Sequence, residues 1–253
     1  MKYEIICVGS ASIDVFITSK SKNIELQRIH AHEDVCLPIG AKILIDTLLT
    51  EVGGGGVNTA VSFARLGFKT GLVSKLGADM NADSILKKLK QEKVEFLGKK
   101  TTGHTGYSVI LTGFKHNRTI LTHKGNNDLM TLNHVPKKLD AKWLYLGTML
   151  GKSWKTHCAI AQYAKRNGIN VLFNPSLYLA EQGKKFLKPV LDACTILILN
   201  KEEAQAVTRM KAEIKTLLKE LQKDIPLVVI TDGPRGAWAY NGIKTYSIAP
   251  TNV

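Results

Sequence analysis

From residue 143 onward, short β-rich runs recur at Trp143–Leu146, Asn170–Phe173, Thr195–Leu199 and Leu227–Ile230, each separated from the next by a helical stretch. This alternation constrains the fold more than any other feature of the chain. It predicts parallel strands, because the intervening helix returns the chain to the edge where the next strand starts. A sheet built this way is covered by helices on both faces. One connecting helix shows its buried stripe directly, with Ile214, Leu217, Leu218 and Leu221 at i, i+3, i+4 and i+7.

The N-terminal half begins in the same manner. Strands are expected at Glu4–Val8, Ile13–Thr18 and Lys69–Lys75, and a further short one at Lys42–Ile45. Helices are expected at Val57–Leu66, where Val57, Ala60, Val61 and Ala64 share a face, and at Met80–Lys90, where Ile85, Leu86 and Leu89 do. The stretch from Lys20 to Pro38 is polar, mixed and unassigned. The period then shortens: Thr105–Thr112 and Arg118–His123 are two β-rich runs joined by Gly113–Asn117, a hairpin signal. A hairpin does not fit easily into a parallel core, so it predicts a small appended sheet. The class is α/β: a three-layer α/β/α core with a mainly parallel sheet, plus a small β-sheet.

Gly53-Gly54-Gly55-Gly56-Val57-Asn58 is the most unusual local sequence. Glycine costs about 1 kcal/mol relative to alanine inside a helix, so four in a row before one must be offset by something. Glycines allow a main chain to approach a ligand closely, and a helix start offers free N–H groups. Asn58 adds a donor and an acceptor. A plain flexible loop would explain the same residues. Neither the dinucleotide pattern G-x-G-x-x-G nor the phosphate-loop pattern G-x-x-x-x-G-K-[ST] fits.

Composition narrows the function. The 253 residues are 44% hydrophobic and 22% charged, which excludes a disordered chain and suits one large domain or two modest ones. No apolar run approaches the ~18 residues of a membrane span. The first strands follow no basic leader, so neither a membrane partner nor a signal peptide is expected. Cys7, Cys36, Cys158 and Cys194 are too scattered for a disulfide framework or a zinc site. They suit a reducing cytoplasm, with Cys7 and Cys194 as small core residues. The net charge of +14 attracts polyanions. Its lysine doublets, such as Lys87-Lys88 and Lys184-Lys185, are dispersed and lack interleaved aromatics, so nucleic acid is not the expected partner. His104, His116 and His123 show no metal-ligand spacing, and Trp143 and Trp238 read as core.

The run Gly53 to Ala60, followed at fixed spacing by Gly67 and Gly77, resembles the first signature of the ribokinase-like (PfkB) carbohydrate kinases. Other landmarks fall in the family's order: Gly9-Ser10-Ala11-Ser12-Ile13-Asp14, Gly125-Asn126-Asn127, Asn200-Lys201-Glu202-Glu203 and Thr231-Asp232-Gly233-Pro234-Arg235-Gly236. The resemblance implies a single ribokinase-like domain over residues 1–253, with a lid from segments near 12–18, 40–50 and 105–124. It implies a sugar site at Asp14, Gly54, Gly55, Asn58 and Asn126. It also implies a nucleotide site for ATP at Asn200, Glu203, Thr231, Gly233 and Gly236, with Glu203 holding Mg²⁺ through water. A homodimer through the lid follows as well. Read without the resemblance, Asp14 is a strand-end carboxylate, and Asn200 with Glu203 is a helix capping box.

The family's second signature, Gly-Ala-Gly-Asp, carries the catalytic base, and no Gly-x-Gly-Asp occurs in this sequence. The expectation is an ATP-dependent sugar kinase, ribokinase- or fructokinase-like, with this chain inactive on its own. A nucleoside kinase of the same fold and a non-catalytic sugar- or nucleotide-binding protein are the alternatives, and a basic nucleic-acid-binding module is a weaker one.

Overall fold

The computed structural model describes residues 2–19, 25–29, 32–114 and 117–250. Strands β1 (Tyr3–Val8) and β2 (Ser12–Thr18) are followed by a two-stranded hairpin, β3 (Glu25–Ile29) and β4 (His32–Cys36), and by β5 (Thr47–Gly53). Helix α1 (Gly55–Arg65), β6 (Thr70–Val73), β7 (Lys75–Leu76) and α2 (Met80–Gln91) come next. Then follow β8 (Glu95–Phe96), β9 (Lys99–Lys100), β10 (Gly106–Phe114) and β11 (Asn117–His123). The second half runs β12 (Ala141–Leu146), α3 (Gly151–Arg166), β13 (Asn170–Phe173), α4 (Leu177–Ala180) and α5 (Gly183–Leu191). It ends with β14 (Ile196–Asn200), α6 (Lys201–Thr208), α7 (Ile214–Gln222), β15 (Leu227–Thr231), β16 (Ala237–Tyr240) and β17 (Thr245–Ile248).

Nine strands form one sheet in the order β17-β16-β15-β14-β13-β12-β1-β6-β8, parallel from β8 to β15 and antiparallel at the β16–β17 end. Helices cover both faces. Ile160, Leu187, Val207 and Leu218, from α3, α5, α6 and α7, pack with Ile6, Leu144, Phe173, Leu199 and Ile230. On the other face Val57 and Ala60 of α1 and Ile85 and Leu89 of α2 pack with Ile5, Cys7, Leu72 and Tyr145. Beside α1 that face leaves an apolar groove of about 250 Å³, in which Phe63 and Phe68 meet Trp143, Leu172 and Ile196. Among the described residues no helix is long and apolar enough to cross a membrane.

The second sheet has the order β11-β10-β2-β5. In β2, Ile13 and Val15 are buried in the cluster that contains Ile85 and Leu89 of α2, while Ser12 and Asp14 alternate to the opposite face. That opposite face is where the cavity described below lies.

Most expected elements occur within a few residues of their predicted limits. The expected strand at Lys42–Ile45 does not; that part of the chain becomes strand only at Thr47, and the strand runs to Gly53. Its residues Thr47 to Glu51 are exposed, so no burial alternation marked them. The unassigned Lys20–Pro38 stretch holds β3 and β4, and part of it lies outside the described residues. The Gly113–Asn117 turn and His116 also fall partly or wholly outside them. Trp143 and Trp238 are only partly buried and pack at the margins of the two clusters. Cys7 and Cys194 are core residues, with burial pushing both thiols up, Cys194 to about 12.

His157 of α3 is fully buried, and neither ring nitrogen has a hydrogen-bond partner. The Gly147 main chain is near enough to favour the charged ring slightly, but burial dominates and pushes the imidazole down to about 4. The folded chain therefore refuses a proton that the unfolded chain accepts below about pH 6.5. Stability contributed by neutral His157 is intact above that pH and is lost as pH falls toward 4, by ~3 kcal/mol at the limit. His157→Leu should flatten this slope: in urea titrations at pH 7 and pH 5, the native chain loses stability relative to the variant. Equal losses in both would show that His157 is not the acid-sensitive group.

Candidate functional site

Four chain passages converge where the two sheets meet. After β1 the chain leaves the large sheet through Gly9-Ser10-Ala11 and joins the small one at Ser12. It returns from β5 through Gly53-Gly54 into α1. It enters β10 at Gly106 and leaves β11 through a 3₁₀ turn at Gly125–Leu129. Side chains would not fit at these crossings. A Cβ on Gly56 would stand 2.8 Å from the Gly9 Cα, and one on Gly54 2.6 Å from the Ser10 carbonyl oxygen. Gly54 also has φ of 96°, a left-handed conformation that favours glycine. A Cβ on Gly53 would overlap the Asp14 carboxylate, whereas one on Gly55 would meet only Ser10 Oγ, at an ordinary contact distance of 3.9 Å.

The helix start does not present bare amides, as the tetraglycine reading expects. Gly55 N–H donates to Ser10 Oγ at 3.1 Å, and Gly56 and Val57 N–H donate to the Ser10 carbonyl at 2.9 and 3.3 Å. Ser10 thus caps α1 from outside the helix, which has no side-chain cap of its own.

A cavity of about 290 Å³ opens at this seam. Ser10, Ser12, Asp14, Gly54, Gly55 and Asn58 line one part of it, and Ser108, Ile120, Thr122, Lys124, Asn127 and Tyr178 line another. Asp14 is fixed by Ser12, whose Oγ donates to its Oδ1 at 2.8 Å. Among the described residues the Asn58 side chain makes no hydrogen bond, so both its amide groups are free to meet a ligand. Cross-strand register sets Asp14 beside Ser108 on β10, and Ser108 opposite Thr122 on β11. The row carries a carboxylate and two hydroxyls on one face.

Asp14, Gly54, Gly55 and Asn58 therefore meet at one cavity, and Asn126 does not. Asn126 is buried, and its Nδ2 is committed to the carbonyls of Leu76 and Thr102 at 2.8 and 3.1 Å. Asn127 lines the cavity instead, gripping Ala11 from both sides: its Oδ1 accepts from Ala11 N–H at 3.0 Å and its Nδ2 donates to the Ala11 carbonyl at 2.9 Å. Ser10, Ser108, Thr122, Lys124 and Tyr178 were missed by sequence reasoning. For Ser108 and Thr122 the only signal was strand alternation placing hydroxyls on the face of Asp14; Ser10 lies in the loop before β2, where no such alternation applies.

The second group lies at the carboxyl ends of β14 and β15, the edge where open parallel sheets bind ligands. Asn200 and Glu203 form a reciprocal capping box, Glu203 N–H to Asn200 Oδ1 at 2.7 Å and Asn200 N–H to Glu203 Oε2 at 2.9 Å. Burial pushes the Glu203 carboxyl up against that bond. The loop after β15 turns through Gly233 at φ 52° and Gly236 at φ 97°. Asp232 accepts from both Arg235 Nε and Nη2, at 2.6 and 2.7 Å. A cavity of about 490 Å³ beside the loop is lined by Lys201, Lys215, Asp232, Arg235 and Trp238. Thr231, Gly233 and Gly236 shape the loop rather than line that cavity. No group of three or more His, Cys, Asp or Glu able to hold a metal occurs among the described residues.

Comparison with known proteins agrees with this architecture. A family model described as pfkB family carbohydrate kinase matches residues 3–253. The ribokinase of Staphylococcus aureus (strain COL) is 24% identical over 247 residues, spanning 94% of this chain and 75% of the relative. Among solved structures, the adenosine kinase from Sinorhizobium meliloti superposes with a TM-score of 0.82 at 17% identity, covering 100% of this chain and 81% of that one. Ribokinase of Arabidopsis thaliana complexed with ribose and ATP superposes with a TM-score of 0.74 at 20% identity, covering 98% and 78%.

The four glycines should respond differently to alanine. Gly54→Ala and Gly56→Ala meet fixed backbone and should each cost ~2 kcal/mol or more. Gly55→Ala should change stability by less than ~1 kcal/mol. Gly53→Ala meets only a side-chain end, so it should fold and displace the Asp14 carboxylate. Chemical denaturation of the four variants measures this ranking, and four equal losses would refute it.

Proposed function

The chain belongs to the pfkB family of carbohydrate kinases, and from that premise we propose that it serves transfer of the γ-phosphoryl of ATP to the hydroxymethyl group of a sugar. The observation that carries this reading is Asp14: a carboxylate oriented by Ser12, seated over Gly53 and facing a cavity with the unpaired amide of Asn58. A carboxylate held in this way accepts from two neighbouring hydroxyls, and Asn58 both donates and accepts. Fixed polar groups of this kind discriminate strongly against ligands lacking the matching hydroxyl.

ATP would lie along the carboxyl edge of β14 and β15, with Lys215 offering positive charge to its phosphates and with Lys201 and Arg235 exchanging their Glu213 and Asp232 partners for them. Mg²⁺ would arrive with the ATP. Glu203 has one oxygen tied to the Asn200 amide, which suits a contact through water rather than direct ligation. The small sheet, with β5 and β11 at its edges, would act as a lid that keeps water from the transfer site. Phosphoryl transfer depends on position and charge, together with a group that accepts the hydroxyl proton. We assign no such acceptor among these residues, so our reading is that this chain by itself binds both substrates without turning them over.

A nucleoside reading draws on the Tyr178 ring at the cavity wall, which would suit a base. The Lys124 ammonium already lies 5.6 Å from the centroid of that ring, which favours the free sugar.

The exposed apolar side chains Leu44, Leu48, Leu49, Ile120 and Leu121 on and beside the small sheet favour a second copy as partner. Light scattering after size exclusion should give a dimer mass for the native chain and a monomer mass for Leu48→Lys; a monomeric native chain overturns this part. For the sugar site, ribose and fructose should raise the melting temperature of the native chain, and Asp14→Ala should abolish the rise while leaving the unliganded melting temperature nearly unchanged. Sugar-induced stabilisation that persists in Asp14→Ala would remove Asp14 from the site.

A further inference from the structure

Resting on the sugar-site reading above, we propose that the polyol this chain takes is itself anionic, a sugar acid or a sugar phosphate, whose carboxylate or phosphate is received by Lys124. The cavity has two electrically distinct ends. At one stands the Asp14 carboxylate, which lines the cavity. Across the sheet, Ser108 and Thr122 follow in register, their hydroxyls 3.2 Å apart. Thr122 is two strands from Asp14, ~10 Å by ordinary strand spacing. Lys124 follows at the end of that strand and lines the cavity.

The main chain that follows the lysine is held in place. The turn that follows it begins with Gly125 at φ 52°, where any Cβ would overlap the His104 carbonyl. Asn126 and Asn127 then lock the turn on two sides, and Ser153 Oγ donates to the Asn127 carbonyl at 2.6 Å. The Tyr178 ring supports the ammonium from one direction without neutralising it. Among the described residues Lys124 makes no ion pair. Asp128 feels its charge, yet burial still holds the Asp128 carboxyl above its usual range.

A cation without an ion-pair partner, facing a cavity whose opposite end is acidic, matches a ligand with hydroxyls at one end and negative charge at the other. A neutral sugar would satisfy the Asp14 end and leave Lys124 unpaired. Carboxylate and phosphate offer the same chemistry to an ammonium, charge-assisted acceptance of its N–H groups.

Calorimetric titration separates the possibilities. The native chain, Lys124→Met and Lys124→Arg are each titrated with gluconate, fructose 6-phosphate, glucose and fructose in a buffer free of phosphate. The expected result is that gluconate or fructose 6-phosphate binds roughly tenfold or more tightly than its neutral counterpart. Which of the two shows the gain identifies the anion. The gain should vanish in Lys124→Met, persist in Lys124→Arg, and shrink as salt rises from about 50 to about 500 mM. Equal binding of charged and neutral polyols, or a preference that survives in Lys124→Met, overturns the proposal. If only the neutral sugars bind and Asp14→Ala removes them, the sugar-site reading stands and the anionic inference falls. If no polyol binds, both fall.

Discussion

The close passage of Gly9 against Gly56 sets the distance between the two sheets. Backbone meets backbone there, with 2.8 Å left for a Cβ that neither residue has. Because β1 runs into β2 and β5 runs into α1 through these residues, the small sheet cannot move away from the large one without unmaking the crossing. Gly106 and Gly125 repeat the constraint on the other side, against Asn127 and the His104 carbonyl. The cavity is the space that remains when four chain passages are drawn this close together. Its polar lining comes from the strand ends that the crossings bring together.

Much of the polar chemistry near the seam is already committed to structure, which narrows what is left for a ligand. Ser10 takes up the amides of Gly55, Gly56 and Val57. Asp79 is occupied too: burial would raise its carboxyl, but the Thr105 hydroxyl and amide and the Ala82 amide outweigh that and hold it below its usual range. Asn127 is consumed by Ala11, and Asn126 by two carbonyls. What stays available is Asp14, Asn58, a few hydroxyls and Lys124. A helix N-terminus often serves as an anion site, but here the serine across the crossing has taken that capacity, so negative charge would have to be met by a side chain.

The central parallel strands of the large sheet, β1, β6 and β12 to β15, were legible because each carries buried residues and the helices between them carry a stripe, whereas β8, β16 and β17, which have no buried residue, were not expected. β5 was not, because Thr47 to Glu51 are exposed and the strand ends in glycine. The lining of the cavity was legible where the sequence carries a rare residue, as with Asp14 inside an apolar strand and the glycine run. At Asn126 the expectation falls one position from the asparagine that lines the cavity, Asn127. In a tight 3₁₀ turn adjacent residues point in different directions, and sequence alone does not tell which of two asparagines faces outward. Lys124 was invisible for a different reason: in a chain with 35 lysines and arginines, one more cation carries no signal until the turn that holds it is known.

The residues open to a ligand also belong to separate parts of the seam. Asp14 is on β2, Asn58 on α1, and Lys124 leads into the turn that grips Ala11. A molecule touching all three would add a link between α1 and the small sheet, whose strands β2, β10 and β11 are already joined to one another by their pairing. Ordering one contact lowers the entropic cost of the next, so the three contacts would be worth more together than apart. A ligand too short to reach from Asp14 to Lys124 would lose that coupling as well as a single bond. Selection by length and by end-group charge would then come from the same geometry that holds the two sheets together.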